Sequence, residues 1–104
     1  MLSQTQVSKI KKTLQNENSS LSAVFAVLGD NARYKIIELL SRNSKLCVTD
    51  LASILDMSLS CVSQHLRILE MSGLVAKERE GQKICYTYSP RDSKTKAIVD
   101  LISS

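Results

Sequence analysis

Four polar residues at helical spacing carry the clearest chemical signal in the sequence: Ser60, Ser63, Gln64 and Arg67. At about 100° per residue they share one side of a helix opening after Ser58, while Leu59, Val62, Leu66 and Leu69 share the other. Ser hydroxyls and a Gln amide hydrogen-bond base edges or phosphates, and short side chains let a helix backbone approach a duplex closely. Ser58, a good N-cap, stands at the head of this surface. Arg67 is two turns further on, where phosphate anchoring and base reading are both open to it. Any solvated amphipathic helix shows a polar side, so the flanking elements decide between the two readings.

The thiols and the single histidine offer less. Cys47, Cys61 and Cys85 are an odd number without a C-x-x-C pair, which points to a reducing compartment rather than a disulfide framework. Cys61 and His65, four residues apart on a helix, can chelate, but two ligands do not close a metal site. Cys47, Cys61 and His65 are therefore only weak metal candidates, and no cofactor is expected. Cys85 alternates with Ile84, Tyr86 and Tyr88 and is expected to be partly exposed; Cys61 borders the polar helix face. Oxidation of either would hinder docking through bulk or charge, with Cys61 the better placed. The plainer reading of a free Cys is a small buried hydrophobe. One His, no glycine-rich phosphate loop and no evident carboxylate pair leave little to build an enzyme with, and none is expected. Asp50 and Asp56 read as helix-start and turn residues.

The elements that position these residues follow from hydrophobic period and caps. Apolar spacing predicts helices over 3–14, 20–28 and 31–42, with Ser20 and Asp30 or Asn31 as caps and Gly29 as a stop. A short helix opens at Thr49 and Asp50 with Leu51, Ala52, Ile54 and Leu55 inward; Asp56-Met57-Ser58 turns the chain, and the next helix runs to Ser72 with Leu59, Val62, Leu66 and Leu69 inward. After Gly73 the period changes to two, giving strands over 74–79 and 83–89 around Glu80-Gly81-Gln82. Ser89-Pro90-Arg91-Asp92 reads as a cap with Pro at the first helical position, and Ala97, Ile98, Leu101 and Ile102 as the apolar face of a last helix. The order ααααα-ββ-α is mostly α with a β-hairpin wing, a winged helix-turn-helix. Arg79, Gln82 and Lys83 crowd the wing tip, where they can neutralise phosphates, and Glu78 and Glu80 dilute that field.

With 104 residues the chain makes one domain, divided into a helical extension over 1–18 and a winged-helix body over 19–104. The formal net charge of +4 is unevenly laid out. Lys9, Lys11 and Lys12 meet no acid before residue 17, and residues 58–96 carry seven bases against four acids. Such blocks suggest a polyanion. No apolar run approaches the ~20 residues of a membrane span, and Met1 to Leu14 show no signal-peptide core, so a cytoplasmic protein without a membrane partner is expected.

Val27-Leu28-Gly29-Asp30, Leu46-Cys47-Val48-Thr49-Asp50-Leu51-Ala52, Val62-Ser63-Gln64-His65-Leu66-Arg67, Ser72-Gly73-Leu74-Val75 and Tyr86-Thr87-Tyr88-Ser89-Pro90 together resemble the ArsR/SmtB family of winged-helix repressors over residues 20–90. The resemblance implies a homodimeric repressor that binds an inverted-repeat DNA operator and releases it on binding an inducer, most often a metal ion or metalloid. It implies DNA contacts from Leu59, Ser60, Ser63 and Gln64, and dimerisation through the first and last family helices, here Leu21, Val24, Phe25 and Leu28 with Ile98, Leu101 and Ile102. The usual sensor ligands are missing. Thr49 and Ala52 stand where soft-metal members carry further thiols. Pro90 and Asp92 align with the first pair of a second metal site whose other pair has no counterpart, and a persulfide-sensing cysteine would fall near Glu38. The inducer stays unidentified. The alternatives are a winged helix for protein interaction or non-specific DNA architecture, which would not need the polar face of 58–72, and a thiol-based redox-responsive repressor.

Overall fold

The computed structural model describes residues 1–16 and 19–103, without the side chains of 14–16, 19–21 and 103. Helices α1 (Gln4–Asn16), α2 (Ser19–Leu28) and α3 (Asn31–Arg42) precede a short strand β1 (Leu46–Cys47); α4 (Val48–Leu55) and α5 (Leu59–Met71) follow, then β2 (Val75–Glu80), β3 (Lys83–Tyr88) and α6 (Ser93–Ser103). This is the mostly α winged helix-turn-helix the sequence predicts. The proposed Ser20 cap and the Leu21 side chain lie outside the described residues.

The caps explain most boundaries. Asp30 Oδ1 accepts from Ala32 N at 2.9 Å and Arg33 N at 3.1 Å, which starts α3. Hydrogen bonds from these amides, that of Arg33 first, hold the Asp30 carboxyl below its ordinary value. Ser58 Oγ accepts from Cys61 N at 3.2 Å and starts α5. Asp56, at φ 54°, makes the left-handed turn between α4 and α5. Gly73, at φ 77°, ends the α5 connection, where a Cβ would also meet Arg91 Cδ at 3.0 Å.

One core joins the elements. Val24 and Leu28 of α2, Ile36, Ile37 and Leu40 of α3, Leu51 of α4 and Val62, Leu66 and Leu69 of α5 pack with Leu74, Val75, Tyr86 and Val99. Burial pushes the Tyr86 hydroxyl above its ordinary pKa.

Several local expectations are corrected. The sheet has three strands in the order β1-β3-β2, because Leu46 and Cys47 pair antiparallel with Tyr86 and Cys85. Two residues are too few to show a period, so β1 left no pattern to read. Leu59 is 53% and Ile54 55% exposed, so neither belongs to a buried stripe. Val24 and Leu28, expected at a dimer interface, are buried in the chain's own core. The last helix starts three residues late, since Ser89 N and Arg91 N donate to Leu74 O and Gly73 O, both at 2.9 Å, and pin the Pro90 segment to the start of β2. Asp92 Oδ1 then accepts from Lys94 N at 3.1 Å. Thr95 and Val99 form the inward face of α6, Ile98 is half-buried, and Ala97, Leu101 and Ile102 are exposed.

Two tyrosines dock α6. Tyr34 Oη donates to Ile102 O at 3.1 Å, and Tyr88 Oη to Asp100 Oδ1 at 3.3 Å. Burial and the facing carboxylate push the Tyr88 hydroxyl up to about 12, and the Lys96 ammonium, at 2.8 Å, holds the Asp100 carboxyl below its ordinary value.

Candidate nucleic-acid interface

Amphipathic α5 buries Val62, Leu66 and Leu69 and turns its other side outward. Ser58, Leu59, Ser60, Ser63, Gln64 and Arg67 are all exposed. The side chains that could read bases therefore sit on a rigid, capped helix whose opposite side is locked into the core. That is what precise positioning of hydrogen-bonding groups requires.

The wing continues the surface. Its strands pair from Val75↔Tyr88 to Glu80↔Lys83, and Gly81, at φ 61°, turns the tip. Arg79, Gln82 and Lys83 are exposed there. A groove of about 460 Å³ between α5 and the wing is lined by Ser63, Arg67, Glu70, Lys77, Ile84 and Tyr86, among others. A second, of about 290 Å³, runs from Thr49, Leu59 and Ser63 to Gln82 and Lys83. Ser63 borders both, so α4, α5 and the wing tip enclose one concave, partly basic surface.

Pairing in the sheet also sorts the wing charges. Residues directly opposite across antiparallel strands share a face. Lys77 and Arg79 pair with Tyr86 and Ile84, whereas Glu78 pairs with Cys85. Lys45 binds both Glu78, at 3.6 Å, and Glu80. The hydrogen bond to Glu80 raises the Lys45 ammonium above its ordinary value. Lys45, beside β1, thus offsets one of the two carboxylate charges of Glu78 and Glu80, so they dilute the wing field less than the sequence suggests. Lys77 is a basic groove residue that sequence reasoning missed, although its two-residue spacing from Arg79 would have placed both on one strand face.

The sulfur and histidine sites differ from expectation. Cys85 is wholly buried rather than partly exposed, and it forms a disulfide with Cys47, 38 residues away. Cys61 is a free, half-buried thiol. His65 Nδ1 lies 3.4 Å from Arg33 Nη1, and Arg33 Nε donates to Val27 O at 2.7 Å, so His65 ties α5 to the α2–α3 junction. The cluster of potential metal ligands among the described residues is Cys47, Glu80 and Cys85, and it includes neither Cys61 nor His65. With its sulfurs bonded to each other and Glu80 held by Lys45, that cluster offers no thiolate to a metal. Among the described residues no helix is long and apolar enough to cross a membrane.

A polar-faced α5 after a tight turn, flanked by a basic wing, defines a winged helix-turn-helix DNA-binding protein. Comparison with known proteins makes this more particular. The family described as bacterial regulatory protein, arsR family, matches residues 30–77. A cadmium resistance transcriptional regulatory protein CadC homolog of Staphylococcus aureus is 38% identical over 95 residues, covering 90% of this chain and 77% of that protein. The arsenical resistance operon repressor of Escherichia coli K12 is 40% identical over 67 residues, 64% of this chain and 57% of that one. Reduced HlyU from Vibrio cholerae N16961 superposes with a TM-score of 0.76 at 30% identity, covering 88% of this chain and 93% of that one. The chain belongs to the ArsR/SmtB family and is a sequence-specific DNA-binding transcriptional regulator, not an enzyme.

Proposed function

We propose that the chain is a homodimeric repressor that binds an inverted-repeat operator, with α5 of each protomer in the major groove and the wing along the adjacent backbone or minor groove. The observation that carries this is the exposed polar side of α5, with Ser60, Ser63, Gln64 and Arg67 facing away from a fully buried stripe. Ser63 and Gln64 read base edges; Ser58, Leu59 and Ser60 fit against the groove wall; Arg67, Lys77, Arg79, Gln82 and Lys83 meet phosphates. Regulators of this family generally bind operators as homodimers. Phe25 at 51% and Ile102 at 45% exposure leave an apolar surface on α2 and α6 that a second copy, through Phe25, Ile98, Leu101 and Ile102, would cover. The α1 extension, whose described side chains are all exposed, carries Val7 and Ile10 and three lysines, Lys9, Lys11 and Lys12. Repression rather than activation follows the arsenical resistance operon repressor; HlyU of Vibrio cholerae is a transcriptional activator. Such a regulator acts in the cytoplasm, where bacterial DNA lies.

Selection from random duplexes tests the reading. It should enrich an inverted repeat with half-sites about 34 Å apart, bound at roughly 10⁻⁸ M or tighter in moderate salt. Enrichment of no sequence would leave only non-specific or protein-binding roles.

A further inference from the structure

The disulfide joins two parts that must act together on DNA. Cys47 immediately precedes α4, Cys85 lies within β3, and the two face each other in register across β1 and β3. All of α4, α5 and β2 lies in the 38-residue span between them. Cys85 pairs with Glu78, midway along the hairpin, so the bond fastens the middle of the wing to the start of the helix-turn-helix. We infer that Cys47 and Cys85 form a reversible dithiol–disulfide switch whose oxidised state fixes the wing against α4 and α5 in the arrangement that binds DNA. This rests on the reading of α5 and the wing as the operator-binding surface.

The two sulfurs are unequally placed. Cys47 is half-buried and borders the groove lined by Thr49, Leu59, Ser63, Gln82 and Lys83. Cys85 is 0% exposed. A small oxidant, here a hydroperoxide, thus meets Cys47 first. The Cys47 thiolate takes the terminal oxygen as the O–O bond breaks, giving a sulfenic acid and, after protonation, an alcohol or water. The Cys85 thiol then attacks that sulfur, the S–O bond breaks, and the hydroxyl leaves as water with the thiol proton. Two electrons pass from the thiol pair to the peroxide. In reverse, a small thiolate attacks Cys47 Sγ, the accessible end, and Cys85 leaves as thiolate; a second thiol then frees Cys47.

The sense of the switch follows from where the bond lies. With the bond in place, Ser63 of α5 and Gln82 and Lys83 of the wing line one groove. Fixing their relative placement before binding removes an ordering cost that a wing held by β1–β3 hydrogen bonds alone would meet on DNA.

The test uses the full chain, prepared reduced and peroxide-oxidised, with thiols counted by alkylation and mass spectrometry and affinity for the selected duplex read by fluorescence anisotropy. Oxidation should leave Cys61 alone open to alkylation and tighten binding about tenfold, a gain of the size preorganisation gives. Cys47→Ser should bind equally under both conditions. Cys85→Ala should do the same, but its site is fully buried, so Cys47→Ser and the wild-type pair of states carry the test. Equal or weaker binding by the oxidised protein would overturn the switch while leaving the DNA-binding reading intact. So would persistence of the difference in Cys47→Ser, or failure of peroxide to form the bond. A reduced and an oxidised protein that both select no duplex would instead overturn the DNA-binding reading, and this inference with it.

Discussion

The surface made by α5 and the wing and the surface made by α2 and α6 are both open to solvent, but differ in what they show it. The first presents hydroxyl, amide and guanidinium groups on a helix anchored through the wholly buried Val62, Leu66 and Leu69. Water satisfies such groups, so this face is stable alone and exchanges hydration for DNA contacts on binding. The second leaves Phe25 and Ile102 about half-exposed, although their helices are docked from within by Val24, Leu28 and Val99. Water does not satisfy apolar surface, so this face gains from being covered. One face is satisfied by water; the other leaves apolar surface uncovered.

Substitutions can break that contrast in order of size. Phe25→Asp should have the largest effect. A carboxylate in an apolar dimer interface should shift the chain to monomer in analytical ultracentrifugation and lower operator affinity by roughly 30-fold or more. Its thermal midpoint as a monomer should barely move. Retention of the dimer would mean that α2 is not the covered face. Gln64→Ala should cost about 1–3 kcal/mol against the preferred operator and flatten base preference at one position, with an unchanged dimer. A uniform loss across sequences would reassign Gln64 to phosphate. Gly73→Ala changes the side chains of neither face but strains the φ 77° junction between α5 and β2, and should lower stability by about 1 kcal/mol or more in denaturant melts. Lys77→Ala should weaken binding evenly and reduce the slope of log affinity against log salt by about 1. An unaltered slope would remove Lys77 from the interface.

The smallest effect concerns pH. Asp100 titrates below its ordinary value in the folded chain, so its contribution is present above the unfolded carboxylate range and is lost as pH falls through the folded value. Tyr88 is raised to about 12, so its contribution is full below the ordinary tyrosine value near 10 and is lost as pH rises towards 12. Both groups dock α6. Hydrogen exchange over α6 should quicken at both extremes before α5 opens, and uniform opening of both helices would contradict this.

The polar surface of α5 and the wing is more legible in the sequence than the sulfur chemistry. Ser58 announces α5 because capping is local, and the side of α5 that faces out follows from a period that Val62, Leu66 and Leu69 repeat without a break. The wing is legible for the same reason. The pairing of Cys47 with Cys85 is not, because it depends on a two-residue strand that carries no period and on a partner reached only through the fold. Nor is the pairing of Glu78 and Glu80 with Lys45, which comes from a loop far away in sequence. The start of α6 was misread because Pro90 and Asp92 imitate a helix start, while the backbone of Ser89 and Arg91 is held by Leu74 and Gly73.

The strand order β1-β3-β2 carries a consequence for how the chain assembles. The β2–β3 hairpin closes through a tight turn and can form within microseconds. In the reduced chain β1 joins β3 only after the intervening helices have brought the two ends together, a non-local step whose loop-closure cost the Cys47–Cys85 bond removes in the oxidised chain. The hairpin should therefore gain amide protection early in refolding of the reduced chain, and Leu46 and Cys47 should gain theirs only as α4 and α5 complete the core.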